Sequence, residues 1–302
     1  MNTSAISGDV TFLGIGAIGF PMATRLAARG YTVTAVDPSA DQQTLARSVG
    51  LHAVPTLGEV PNLDTVVVMV ATAEQLVEAC TAPGRLFARM KPGSLCIVMS
   101  TVGPSVIEEL AAKAADRGID LLDAPVTGGV PRAESGTLTI LTAGRPEVIE
   151  RGRELVNALG TAHSCGAHPG QGQSFKLVNQ LLCSVHLVAA AEALAFSESL
   201  GLDPDQVYRT VSAGAGASWM LLDRGPRMLI DDDNDVCTAL DIFVKDSDLV
   251  ARAAREAGFD APLLTSAHET FQLAAELGFG RRDDSRVKAA YKHRQPRPSQ
   301  TV

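Results

Sequence analysis

Several things are missing from this 302-residue chain, and each absence removes a class of protein. The five cysteines (Cys80, Cys96, Cys165, Cys183, Cys237) are odd in number and never fall at metal-ligand spacing. No metal centre is therefore expected, and the thiols read as reduced, in a cytoplasmic protein. Positive charge is not in excess: 26 Lys and Arg stand against 34 Asp and Glu, a net charge of −8. That balance argues against nucleic acid or an anionic membrane as partner. The opening residues MNTSAISGDV hold neither a basic region nor an apolar core, so they do not read as a signal peptide. The most apolar run, Leu181 to Ala191, contains His186 and is too short to span a bilayer. There is no internal repeat, and tryptophan occurs once, at Trp219.

What is present suits a globular protein. Apolar residues make up 46% of the chain and charged residues 20%. The length allows two domains, each with its own core.

The most informative stretch runs from Val10 to Pro38. A short apolar strand (Val10 to Leu13) leads into Gly14-Ile15-Gly16-Ala17-Ile18-Gly19. A helical pattern follows to about Arg29, then a second strand, Thr32 to Val36, ends at Asp37. Strand, glycine-rich turn, helix, strand and acid come in the order of a dinucleotide-binding βαβ unit. Gly14 allows the tight turn, Gly16 lets backbone approach a pyrophosphate, and Gly19 lets helix and strand pack closely. The N–H groups of Ala17, Ile18 and Gly19 open the helix, whose N-terminus favours phosphate. Asp37 suits a ribose 2′-hydroxyl and repels a 2′-phosphate, and Pro38 adds no positive charge. The cofactor expected is NAD rather than NADP.

Strands and helices alternate from Val10 to about His168. Strands are expected at Thr65–Val70, Ser94–Met99, Asp120–Asp123 and Thr137–Ala143, and a helix from Pro104 to Asp116. After Gly172 no strand pattern is found. Ser174 to Leu200 reads as one long helix, apolar on nearly all sides, followed by helical patterns at 203–212, 239–257 and 263–277. The fold expected is an α/β Rossmann-type doubly wound domain with a largely parallel sheet over residues 8–172. An all-α substrate and dimerisation domain follows over 173–291, then a disordered tail over 292–302. The run Asp231-Asp232-Asp233-Asn234-Asp235 reads as a solvated loop, because no EF-hand glycine or closing glutamate accompanies it.

Four later segments bear chemistry, each with a plainer alternative. Ser100 and Thr101 follow a strand end; Thr101 suits the nicotinamide end of a cofactor, or the pair caps the helix at Pro104. Thr127-Gly128-Gly129 offers N–H groups to a carboxylate, or is a structural turn. Lys176 and Asn179 lie on one helix face. A lysine there in apolar surroundings loses hydration and can exchange a proton near neutral pH; one in water is only a surface charge. Lys245-Asp246, flanked by apolar residues, is a site element or a structural ion pair.

In this order the segments resemble the β-hydroxyacid dehydrogenase family, which includes 3-hydroxyisobutyrate dehydrogenase and tartronate semialdehyde reductase. The similarity runs from about Val10 to Tyr291. Ile18 stands where methionine is usual, and Thr127 where serine is commoner. The catalytic GxGxxxKxxN stretch is intact from Gly170 to Asn179. The resemblance implies Lys176 as the catalytic residue, Asn179 as a substrate ligand, and Thr101 and Lys245 as cofactor contacts. Imine-reducing relatives lack the lysine, so its presence favours alcohol–carbonyl chemistry. The C-terminal half, through Ser218-Trp219-Met220 and Asp283-Asp284-Ser285, is most similar to the branch that oxidises L-threonate. Ala217 departs from that branch, which tends to carry asparagine there. Trp219 lines the substrate pocket or belongs to the core.

The reaction expected is oxidation of a small hydroxy acid, L-threonate or a related sugar acid, by NAD. The alternatives are 3-hydroxyisobutyrate or a semialdehyde as substrate, and a non-catalytic NAD-binding sensor. The apolar long helix suggests a homodimer or homotetramer.

Overall fold

The computed structural model describes residues 8–230 and 236–293. The acidic run at 231–235, and the part of the expected tail from 294 onward, lie outside them. The chain forms two compact units, Met1–Leu177 and Val178–Val302.

The first unit is built on a nine-stranded sheet: β1 (Asp9–Leu13), β2 (Thr32–Val36), β3 (His52–Val54), β4 (Thr65–Val68), β5 (Leu95–Val98), β6 (Asp120–Asp123), β7 (Val126–Thr127), β8 (Leu138–Ala143) and β9 (Gly160–Gly166). The order is β3-β2-β1-β4-β5-β6-β8-β7, with β9 on β8. The pairs from β3 through β6 are parallel, and β8 runs antiparallel to β6 and β7. Among the described residues, seven α-helices belong wholly to this unit: α1 (Gly19–Ala28), α2 (Ala40–Ser48), α3 (Ala73–Thr81), α4 (Leu86–Arg89), α5 (Pro104–Ala115), α6 (Gly129–Ser135) and α7 (Pro146–Leu159). Alternate strand residues enter two cores. Phe12, Val67 and Ile97 pack with α1 and α7 through Met22, Leu26 and Leu155. Leu13, Val66, Val68 and Val98 pack with α3 and α5 through Leu76 and Ile107. A sheet covered on both faces explains why β4 and β5 are unbroken apolar runs.

The strand register sets up the site. Val54, Val36, Leu13, Val68, Val98 and Asp123 pair in one row across the sheet. Gly14, Asp37 and Met69 each lie one step past that row, at the carboxyl edge where open α/β sheets bind ligands. β4 and β5 end before Val70 and Met99: Met69 N and Met99 N make the last bonds to neighbouring strands, to the Leu13 and Val68 carbonyls, and the Val70 N–H donates instead to Ser100 Oγ at 2.8 Å. The sequence pattern does not show β3, β7 or β9. β9 is built of polar and small residues, none of them fully buried, so it carries no apolar signature.

The second unit is helical over its described residues. Long helix α8 (Gln171–Ser199) starts in the first unit. The units part at 177/178 and not at 172/173, because the first turns of α8 hydrogen-bond into the sheet unit, as described below. After it come α9 (Pro204–Val211), α10 (Trp219–Leu229), α11 (Leu240–Glu256), α12 (Pro262–Ala274) and α13 (Ala290–His293), with a 3₁₀ turn at Asp284–Ala289. Lys292 and His293, expected in the tail, are thus helical. α10 is not legible in the sequence because it contains Gly225 and Pro226. The core comprises Leu187, Ala191, Leu194, Met220, Phe243 and Phe271. By length and mean hydropathy (1.5), α8 would suffice to cross a bilayer. Buried Gln173, Lys176, Gln180, Ser184 and Ser197 along it show instead the pattern of a helix packed within protein.

Candidate active site

The glycine turn has the shape expected of a phosphate seat. Gly14 sits at φ +89°, and a Cβ there would overlap the Met69 carbonyl oxygen; only glycine fits. Around Gly16 a Cβ would meet nothing within 4 Å, so the space outside the turn is open. Helix α1 starts there with no side-chain cap and no acid in its first turn, at N-cap Ile18. Its first N–H groups lack helical partners by construction and favour an anion. Gly16 and Ala17 are exposed, and a Cβ on Gly19 would overlap the Gly14 carbonyl oxygen. The Asp37 carboxylate is oriented by two backbone donors, Ile15 N at 3.0 Å and Ser39 N at 2.9 Å. Open space at Gly16, an uncapped helix start and a fixed carboxylate at the end of β2 fit a dinucleotide.

A second cluster gathers where β5 and β6 end. Ser100, Asp123 and Gln173 are each 0% exposed. The Gln173 side chain donates through Nε2 to the Ser100 carbonyl at 3.1 Å and to Asp123 Oδ1 at 3.0 Å. Its Oε1 accepts from Val102 N at 3.0 Å and Gly103 N at 3.2 Å. Asp123 Oδ2 accepts from Gly170 N at 2.9 Å and Gln173 N at 3.2 Å. Burial raises the Asp123 pKa from the ordinary 3.8 to about 6, against the lowering effect of its bonds from Gln173 and Gly170. A Cβ at Gly172 would stand 2.9 Å from Asp123 Oδ2, so this turn also requires glycine. The N-cap of α5 is Gly103, which offers no side-chain cap, and Ser100 Oγ is turned to Val70 N. Thr101 is half-buried.

Lys176 lies three positions after Gln173 on α8 and is 6% exposed. Asn179, three further on and half-buried, donates to Gln180 Oε1 at 2.9 Å and lies 3.4 Å from Cys183 Sγ. Thr127 pairs with Thr139 in the β7–β8 ladder, and Gly128 and Gly129 follow at φ +134° and +72°.

In the second unit, Trp219 is 45% exposed, so it is not a core residue. It opens α10 next to N-cap Ser218, and the Arg224 guanidinium stands 5.4 Å from its ring centroid. Lys245 pairs with buried Asp246 at 2.9 Å, and Gln180 Nε2 donates to the same carboxylate. The structural ion pair therefore exists. The roles of Asp123 and Gln173 were missed in the sequence. The available signal was the polar pair Gln171 and Gln173 set among glycines at the start of an apolar helix.

A parallel sheet in this order, an open glycine turn and a buried lysine beyond it define a dinucleotide-dependent oxidoreductase. Residues 9–169 match the NAD binding domain of 6-phosphogluconate dehydrogenase, and residues 170–291 match the NAD-binding region of NADP-dependent 3-hydroxyisobutyrate dehydrogenase. The chain belongs to the 3-hydroxyisobutyrate dehydrogenase-like family of β-hydroxyacid dehydrogenases, NAD-dependent oxidoreductases acting on CH–OH groups. It is 37% identical to L-threonate dehydrogenase of Cupriavidus necator over 286 residues, 93% of this chain and 95% of that one. The crystal structure of 3-hydroxyisobutyrate dehydrogenase from Salmonella typhimurium is similar with a TM-score of 0.86 at 31% identity, covering 93% of this chain and 99% of the other. Psf3, solved in complex with NADP+ and 2-OPP, is similar with a TM-score of 0.84 at 26% identity, covering 93% and 99%.

Proposed function

We propose that this dehydrogenase oxidises the hydroxyl of L-threonate or a closely related sugar acid, with NAD as cofactor and Lys176 as general acid/base. The observation that carries the reading is Lys176 itself, a lysine 6% exposed on the turn that follows the Asp123–Gln173 cluster. Support for the substrate comes from the 37% identity to an L-threonate dehydrogenase over nearly the whole of both chains. The reading of NAD over NADP rests on Asp37, whose carboxylate opposes a 2′-phosphate.

The roles follow from chemistry. Gly14, Gly16, Ala17, Ile18 and Gly19 would hold the pyrophosphate, and Asp37 a ribose. Thr101 and Lys245 would contact the nicotinamide half. NAD, when bound, supplies the hydride acceptor. Thr127, Gly128 and Gly129 would seat the substrate carboxylate, Asn179 would bind a substrate oxygen, and Trp219 would line the pocket. Lys176 Nζ takes the proton of the substrate hydroxyl, assistance worth ~10²–10⁴-fold. The assembly is a homodimer or homotetramer acting in the cytoplasm. Val178, Leu182 and Phe196 of α8, exposed in the single chain, support the association.

A second reading, 3-hydroxyisobutyrate as substrate, is favoured by the TM-score of 0.86 to that dehydrogenase. Formation of NADH from NAD, and of NADPH from NADP, across three- to five-carbon hydroxy acids separates the readings. L-threonate with NAD is expected to give the highest kcat/KM. A higher value for 3-hydroxyisobutyrate replaces the substrate, and cofactor binding without turnover on any acid indicates a sensor.

A further inference from the structure

We propose that Gln173 is the positioning residue of the active site: one buried amide that ties the start of α8, and with it Lys176, to the loops after β5 and β6. The inference rests on the reading of Lys176 as general acid/base and adds what holds that residue in place.

The side chain of Gln173 offers two N–H donors and one oxygen with two lone pairs. All four are used. The donors reach the Ser100 carbonyl and Asp123 Oδ1, and the oxygen takes the N–H groups of Val102 and Gly103. The amide orientation is thereby fixed: reversed, its NH₂ would face two N–H donors and its oxygen would face a carbonyl and a carboxylate. Three segments meet on this one group. Residues 100–103 hold Thr101; Asp123 opens the 123–129 loop that holds Thr127, Gly128 and Gly129; and α8 carries Lys176 one turn beyond. Asp123 secures the same helix start a second time, through Gly170 N and Gln173 N. Gly172 allows this approach, since any side chain there would press on the carboxylate.

Buried polar groups of this kind are costly unless every partner is present. A cluster with every Gln173 bond satisfied holds its parts in one geometry. Catalysis is sensitive to that geometry, since a displacement of about 1 Å of a reacting group can cost about 10²-fold in rate. The pyrophosphate seat at Gly14–Gly19 makes none of these bonds, so NAD binding should depend on Gln173 far less than turnover does.

The test uses the full chain with Gln173→Met, which keeps volume and removes all four bonds, and Gln173→Glu. The glutamate retains an acceptor for Val102 and Gly103, but its second oxygen faces Asp123 and the Ser100 carbonyl and bonds only when a proton is shared. Glu108 on α5, Cys165 on β9, His168 before the turn and Lys176 after it are titratable groups close to it in structure or chain. With L-threonate and NAD, Gln173→Met is expected to lose about 10²-fold in kcat while NAD affinity stays near wild type. The kcat of Gln173→Glu relative to wild type should rise as pH is lowered from 8 towards 6. Hydrogen exchange, which needs no turnover and serves if Gln173→Met lowers stability, should show about tenfold faster exchange or more at the Val102 and Gly103 amides, with Val66–Val68 unchanged. Wild-type kcat in folded Gln173→Met, a pH-independent Gln173→Glu ratio, or unchanged exchange at Val102 and Gly103 would overturn the proposal. Lys176→Ala is measured in parallel. Turnover retained there removes the reading of Lys176, whereas turnover lost there but kept in the Gln173 variants removes only the positioning role.

Discussion

Asp123 in the sheet unit and Asp284 in the helical unit are both completely buried, and the two carboxylates are held in opposite ways. Asp123 accepts hydrogen bonds from Gly170 N and from the backbone and side-chain amides of Gln173. Asp284 faces two guanidiniums, with Arg224 at 2.9 Å and Arg227 at 3.3 Å. Burial opposes the charge of Arg224, and Asp284 and Asp223 more than offset it, so that guanidinium is held above its ordinary value. Dipoles compensate a buried charge only partly, and Asp123 therefore titrates at about 6. Countercharges do not restore the ordinary value either: burial, with Asp283 beside it, holds Asp284 above the usual carboxylate value against the lowering pull of Arg224 and Arg227. What the ion pairs add is rigidity: Arg224, Arg227, Asp283 and Asp284 pin α10 to the 3₁₀ turn. A buried acid does not by itself mark a site. What distinguishes Asp123 is that the groups it holds belong to segments bearing chemistry.

The comparison can be broken from either side. Asp284→Ala leaves Arg224 buried without its main partner and is expected to destabilise by about 3–5 kcal/mol in chemical denaturation. A loss below about 1 kcal/mol would show that the cluster is only a surface-like ion pair.

Asp123 gives a pH signature. Its proton is bound more tightly folded than unfolded, so its contribution to stability is fully present below 3.8 and is lost as pH rises through about 6. The difference between 3.8 and about 6 corresponds to on the order of 3 kcal/mol. The amide introduced by Asp123→Asn cannot titrate. Relative to that variant, wild-type stability should therefore fall by about that amount across this window and level off above it. Parallel stability–pH curves for the two proteins would place the Asp123 pKa back near its ordinary value.

The smallest effect concerns cofactor choice. Asp37→Ala should reduce the preference for NAD over NADP by about tenfold, close to 1.4 kcal/mol, in kcat/KM for the two cofactors. An unchanged ratio would remove the role given to this carboxylate.

The site was legible where its chemistry is local in sequence. Gly14, Gly16 and Gly19 answer separate needs within six residues, and the row of paired strand residues carries Asp37 to the same sheet edge as Gly14. Lys176 on its own read equally as a surface charge; the intact GxGxxxKxxN stretch from Gly170 to Asn179 singled it out through the family resemblance. Gln173 was harder to see: the polar pair among glycines marks the turn, but the partners that give the side chain its role lie 50 to 73 positions away. The same holds for β9, whose pairing with β8 is made by backbone and whose residues are polar or small, with none fully buried. Trp219 illustrates the opposite error. A lone tryptophan in a helical domain suggests core, yet its ring is nearly half exposed over Arg224.

The central claim is that one buried lysine exchanges the proton of a bound hydroxy acid. NADH formation from L-threonate by wild type and Lys176→Ala, measured beside NAD affinity for each, tests it most directly. Turnover should fall by ~10²–10⁴-fold while NAD affinity holds. Turnover near wild type, or an equal loss of both quantities, would contradict the claim.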